Sequence, residues 1–140
     1  MSEASTISIV FDTTRMRRLL GDFLVVNQNA ADFALEIVAR ELLKDSKLYV
    51  PVLTGALKDS GRVEQAPSVS DAIRVFQTIY GDANKVTYAI RQHDVAYNHP
   101  SLGMFGPAKY LERPLLQNYP FYQQLFRAEY QIYMLRLRSN

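Results

Sequence analysis

Hydrophobic residues recur along this chain with two different periods. Ile7, Ile9 and Phe11 alternate with Ser8 and Val10, which predicts a short strand over 6–12. Met16, Leu19 and Leu20 follow as a helical turn capped by Asp12 or Thr13, and Phe23–Val26 fits either the end of that helix or a strand. From Asn29 to about Leu48 the period becomes helical through Phe33, Ala34, Ile37, Val38, Leu42 and Leu48. Asn29 and Asp32 suit the start of that helix, and Glu36 precedes Arg40 by one turn on its polar side. Residues 62–66 can begin a sheet after a corner, and Pro67–Ser70 reads as a loop. Over 72–80, Ile73, Val75 and Ile79 alternate with Arg74 and Thr78, and Gly81–Asn84 reads as a turn. Val86, Tyr88 and Ile90 then predict a returning strand over 85–92, which closes a hairpin. Residues 93–108 show little periodicity and read as an extended loop.

The C-terminal third returns to helical spacing. Tyr110, Leu111, Leu115 and Leu116 predict a helix that tolerates Pro114 only in its first turn, and Asn118-Tyr119-Pro120 breaks or kinks it. The final helix, about 121–137, carries two apolar lines. One runs through Phe121, Leu125, Ala128, Ile132 and Leu135, the other through Tyr122, Phe126, Tyr130, Tyr133 and Leu137. One stripe docks a helix on its own core, whereas two require two partners. A neighbouring subunit and deep burial within the chain both satisfy that pattern. Tyrosine's preference for half-wet surfaces makes Tyr122, Phe126, Tyr130 and Tyr133 the candidate interface.

The segment Val50–Ser60 is a corner. Pro51 has no N–H and disfavours the α conformation at Val50, so the preceding helix stops there. Thr54 can cap a new short helix, Gly55 admits the tight approach, and Ala56-Leu57 starts the turn. Pro51, Thr54, Gly55 and Leu57 therefore read as shape-giving residues.

The chain has 140 residues, a net charge of +2 and no cysteine. That length fits a single domain spanning 1–140. The absence of cysteine excludes disulfides, thiol catalysis and thiolate zinc sites. The small charge gives no case for tight nucleic-acid binding. Met1–Thr6 lacks a basic region followed by an apolar one, so no signal peptide is expected. No run approaches the roughly 20 apolar residues of a spanning helix, so no membrane partner is expected.

Chemistry-bearing patterns are few. His93, Asp94 and His99 form the only cluster of metal-ligating types, but the two imidazoles stand six apart in a predicted loop without the H-E-x-x-H arrangement. The simpler reading has His93 ending a strand and His99 packing beside Pro100. Nucleophile elbows, phosphate-binding glycine loops and a Walker lysine are absent. Glu41 and Asp45 stand one turn apart but, beside Lys44 and Lys47, read as a solvated face. Arg15, Arg17 and Arg18, with Arg136 and Arg138 near the end, also read as solvated helix faces able to touch phosphate. No enzyme activity and no cofactor are expected.

Val50-Pro51-Val52-x-Thr54-Gly55-Ala56-Leu57-x-Asp59-Ser60 resembles a signature of phage head–tail joining proteins, the neck or tail-completion (minor capsid-like) proteins of tailed phages. Tyr88-Ala89-Ile90-x-Gln92-His93 is similar to that family's central strand, and Lys109-Tyr110-Leu111-Glu112-Arg113-Pro114-Leu115 to its lead-in to the last helix. The three blocks follow the family's order over roughly residues 48–118. Many members have a Gly-Thr turn after the central strand, where this chain reads Gln92–Pro100.

The predicted elements together give an α+β fold, with a small antiparallel sheet, including the 72–80 and 85–92 hairpin, packed against the 29–48 helix and the C-terminal helical segment. The resemblance implies a virion structural protein of the neck, made in the host cytoplasm, that forms a homo-oligomeric ring at the head–tail junction. The ring helps attach the tail and leaves a channel for DNA in transient contact with it. Its partners are adjacent head-connector and tail proteins. A tail-terminator or capsid-associated role is the alternative within this class, and a small metal-dependent enzyme using His93, Asp94 and His99 the alternative outside it. Under the structural reading, the 93–108 loop contacts a neighbouring subunit or ring through His93, Tyr97, His99 and Phe105.

Overall fold

The computed structural model of the chain describes residues 5–11, 28–52, 54–66, 75–82 and 84–138. The readings of a helical turn before residue 21, of Phe23–Val26, of the Arg15–Arg18 cluster and of the Pro67–Ser70 loop lie outside the described residues.

In chain order the elements are β1 (Ile7–Phe11), α1 (Gln28–Ser46), the short α2 (Ala56–Asp59), β2 (Arg62–Ala66), β3 (Val75–Tyr80), α3 (Ala89–Asp94), β4 (Tyr97–His99), β5 (Met104–Gly106), α4 (Glu112–Gln117) and α5 (Tyr119–Arg138). A single 3-10 turn at Pro100–Leu102 joins β4 to β5. The architecture is α+β, with an antiparallel sheet in the order β1-β3-β2 packed against helices. Register places Phe76 of β3 opposite Phe11 of β1 and Gln65 of β2.

The core lies between α1, β3 and α5. Along α1, Ala31, Leu35, Val38 and Leu42 are buried at helical spacing, with Ala30, Ala34 and Ala39 beside them. Small alanines let neighbouring elements approach closely, and the buried rings Tyr122, Phe126 and Tyr130 of α5 belong to the same core. Two buried polar bonds fix α1 on the sheet. The Thr78 hydroxyl donates to the Ala39 carbonyl at 2.8 Å, and Ser46 Oγ meets Tyr80 Oη at 2.7 Å where α1 ends. Burial outweighs that hydrogen bond and pushes the Tyr80 phenol up to about 12.

A third tie joins α1 to α5: the Tyr122 hydroxyl donates to the Asp45 carboxylate at 2.6 Å. Burial first, and then this bond, hold the Tyr122 phenol well above its ordinary range. Asp45 is therefore an anchor for α5 rather than part of a merely solvated face. Tyr122→Phe is expected to cost about 1–2 kcal/mol, since hydrogen bonds to charged groups are among the stronger ones. Chemical denaturation checks this by a lower midpoint at unchanged slope.

The structure corrects the predicted hairpin over 72–92. β3 does pair, but its two edges are taken by β1 and β2, so no edge remains for residues 85–92. Gly81, at φ +101°, turns the chain off the end of β3, where an added Cβ would stand 2.5 Å from the Ser5 carbonyl oxygen. The Asp82 carboxylate then accepts the Asn84 and Lys85 N–H groups at 2.7 and 3.2 Å. Asp82 and Val86 close a lone bridge. The chain then enters the helix α3, with Val86, Ala89 and His93 buried on one side.

The extended loop expected at 93–108 is corrected as well. His93 and Asp94 end α3, and the next residues form the β4–β5 hairpin, with Tyr97 opposite Gly106 and His99 opposite Met104. Among the described residues no helix is long and apolar enough to cross a membrane.

Candidate functional site

The corner residues and the β4–β5 hairpin, read separately in the sequence, form the two walls of one cleft. Pro51 follows the turn that ends α1, and Gly55 takes φ +85° as the residue before α2. Gly55, not Thr54, thus holds the cap position. Thr54 Oγ1 accepts only the Ala56 N–H, at 3.3 Å. Leu57 is buried and roots the corner in the core. The end of α2 is fastened to the end of β3, because Ser60 Oγ accepts the Gly81 N–H at 3.0 Å and Arg62 donates to both the Ser60 and Gly81 carbonyls at 2.8 Å. Across the cleft, the Val52 N–H donates to Ser101 Oγ at 2.9 Å, tying the corner to the hairpin turn.

The cleft encloses about 330 Å³ between Pro51, Val52, Thr54, Gly55 and Leu57 on one side and Tyr97–Ser101 on the other, with Tyr88 and Gln92 from the start and middle of α3. Among the described residues no Asp, Glu, Lys or Arg lines it. Its only imidazole, His99, is buried and joins the Gly106 carbonyl through Nε2 at 2.8 Å, which makes that nitrogen a donor. The cleft can therefore accommodate uncharged polar and apolar groups, with Tyr88 and Tyr97 supplying hydroxyls.

His93 belongs to a different cluster. Its Nδ1 meets Asp94 Oδ1 at 2.7 Å, its Nε2 accepts the Glu112 N–H at 3.3 Å, and its ring packs edge-on against Tyr110 with centroids 4.9 Å apart. Lys109 Nζ reaches Asp94 at 3.0 Å and Glu112 at 3.4 Å. Lys109 takes a positive φ of 49°, and its own N–H donates to the His93 carbonyl at 3.0 Å. The hydrogen bond to Asp94 is the main reason the Lys109 ammonium titrates above its ordinary range. This cluster is a latch that holds the end of α3 against the start of α4. Tyr110 completes it, donating its hydroxyl to the Ala89 carbonyl at 2.5 Å. Burial raises the Tyr110 phenol far above its usual range.

His93, Asp94 and His99 do not converge as a metal site, since each imidazole is committed to a different partner. Among the described residues no group of three or more His, Asp or Glu is placed to hold a metal ion.

Of the candidate interface residues, Phe105 stands 74% exposed and Tyr97 is half-buried, whereas His93 and His99 are interior. Tyr122, Phe126 and Tyr130, taken from the sequence as an interface, are a correction: they are buried in the chain's own core on the α1 side of α5. Tyr133 is half-buried and packs on Phe33 at 5.3 Å between centroids. The other line, with Phe121, Ile132 and Leu135, faces outward, as does Leu137. Sequence reasoning missed the roles of Asp45, Ser46, Tyr80 and Lys109, whose partners all lie far along the chain or depend on an unusual backbone angle.

Comparison of the chain with family models, with curated proteins and with solved structures finds no match.

Proposed function

We propose that this chain is a structural subunit of a tailed-phage neck that assembles into a ring at the head–tail junction. In that role it helps attach the tail, contacts adjacent head-connector and tail proteins, and leaves an axial passage for DNA. Its work is the formation of interfaces rather than the breaking of bonds.

The observation that carries the reading is the outward apolar line of α5. Phe121, Ile132 and Leu135 of one helix line are exposed, while the aromatic line of the same helix packs on the α1 side. Exposed apolar side chains recurring along one helix line support protein association. Further support comes from the first and third sequence blocks resembling the neck family, which supply the corner and the lead-in to α4; the middle block, matched to a strand of that family, is the helix α3 here.

Light scattering and electron microscopy of the purified chain test the reading. Closed rings of one symmetry are expected, and the double substitution Ile132→Ser with Leu135→Ser is expected to reduce them to smaller species while leaving the thermal midpoint within a few degrees. A wild-type chain that stays monomeric at high concentration, together with its absence from virions by mass spectrometry, would overturn it.

A further inference from the structure

The β4–β5 pair forms its own two-stranded sheet, separate from β1-β3-β2, and its two outer edges differ. Tyr97, Asn98 and His99 all line the cleft, although successive side chains of a strand point to opposite faces. The cleft therefore runs along the outer edge of β4 rather than over one face of the hairpin. In an antiparallel pair, alternate residues turn their N–H and C=O groups away from the partner strand. Among the described residues, no backbone hydrogen bond joins 97–99 to anything but β5, and none joins 104–106 to anything but β4.

The opposite edge, β5, carries Phe105 in solvent within the uncharged run Leu102-Gly103-Met104-Phe105-Gly106-Pro107-Ala108. An uncharged extended strand thus lies on one edge of the sheet, and an uncharged cleft on the other. The two surfaces carry no charge on their own strands, while Arg113 stands beside β5, its Nη1 donating to Met104 Sδ at 3.5 Å.

We propose that β5 of one subunit lies along the β4 edge of the next, continuing the antiparallel order across the subunit boundary. Phe105 of the partner subunit then covers Pro51 and the exposed Val52 at the cleft mouth. This contact joins one edge to the opposite edge, so it is heterologous, and its repetition generates a ring wherever the rotation closes. The inference rests on the proposed ring and names the strand that makes the lateral contact. It also gives the corner a second role, as one wall of a neighbour's seat.

Two surface variants test it, Phe105→Lys and Asn98→Lys, both at exposed positions that leave the core untouched. A charge on a strand edge is an effective block to strand addition. Light scattering should show rings for the wild-type chain and monomers for both variants, which should still melt cooperatively, their midpoints lower only by the stabilisation that assembly adds. Hydrogen exchange supplies a readout independent of any variant: amides in 97–106 should exchange at least tenfold more slowly in wild-type rings than in the monomeric variants. Rings from either lysine variant, or equal exchange in rings and monomers, overturn the strand contact and leave the ring reading standing. A wild-type chain that forms no ring overturns both.

Discussion

Replacing Phe126 by alanine is expected to destabilise the chain by about 3–5 kcal/mol, the usual cost of removing a fully buried aromatic ring. Phe126 is 0% exposed and lies one turn from both Tyr122 and Tyr130 on the side of α5 that packs on α1. The core that Phe126 joins includes Ala30, Ala31 and Ala34 of α1, short side chains that cannot reach far into the space the ring leaves. The loss therefore combines lost burial with an unfilled cavity. Urea unfolding at matched protein concentration should show a lower midpoint at unchanged slope. Leu135→Ala on the outward line, where the residue is 62% exposed, should change stability by no more than about 0.5 kcal/mol. Stability unchanged in the Phe126 variant, with self-association lost instead, would return the aromatic line to the surface.

That pair of residues shows where sequence pattern reaches its limit. Both lines of α5 are apolar at helical spacing, so periodicity announces two faces without saying which one turns inward. The choice is made by packing between α1 and α5, elements far apart in the chain whose buried residues, Ala34 and Phe126 among them, share one core. The strands β1, β2 and β3 and the helices α1 and α5 were legible because each repeats one period over several residues.

Residues 85–92 misled for a physical reason. Val86, Tyr88 and Ile90 alternate as a strand does, while Val86, Ala89 and His93 sit at helical spacing in the same stretch. Local pattern supports both, and the occupied edges of β3 decide between them. The β4 and β5 strands, at three residues each, are too short to show a period. The cleft was invisible for a related reason, since its walls come from segments about 45 residues apart and meet through the single bond from Val52 to Ser101. The place of Gly55 at the corner was legible from backbone chemistry, since its φ of +85° is one that glycine adopts freely.

The second large effect is expected at His93, both on substitution and on acidification. His93→Ala leaves the Glu112 N–H without its buried acceptor and removes the ring from Tyr110, a combined loss of roughly 2–4 kcal/mol. The pH dependence comes from the same geometry. With the Glu112 N–H donating to Nε2, the neutral ring carries its proton on Nδ1, facing Asp94. A second proton would sit on Nε2 and oppose the Glu112 N–H directly. Burial disfavours the cation more strongly than Asp94 favours it, so the folded chain holds the His93 pKa below its ordinary value. The unfolded chain, with an imidazole near 6.5, then binds a proton that the folded chain refuses. The stabilisation is complete above about pH 6.5 and is lost as the pH falls from there through the folded-state value. Asp94 is held below its usual carboxylate range by its bonds to His93 and Lys109, so its own contribution is lost only at still lower pH. Thermal melts between pH 7.5 and 5 should thus show a falling midpoint in the wild-type chain. In His93→Gln, whose amide can still accept the Glu112 N–H but does not titrate, that slope should flatten. An unchanged slope in the glutamine variant would place the acid sensitivity elsewhere and remove His93 as the titrating element of the α3–α4 latch.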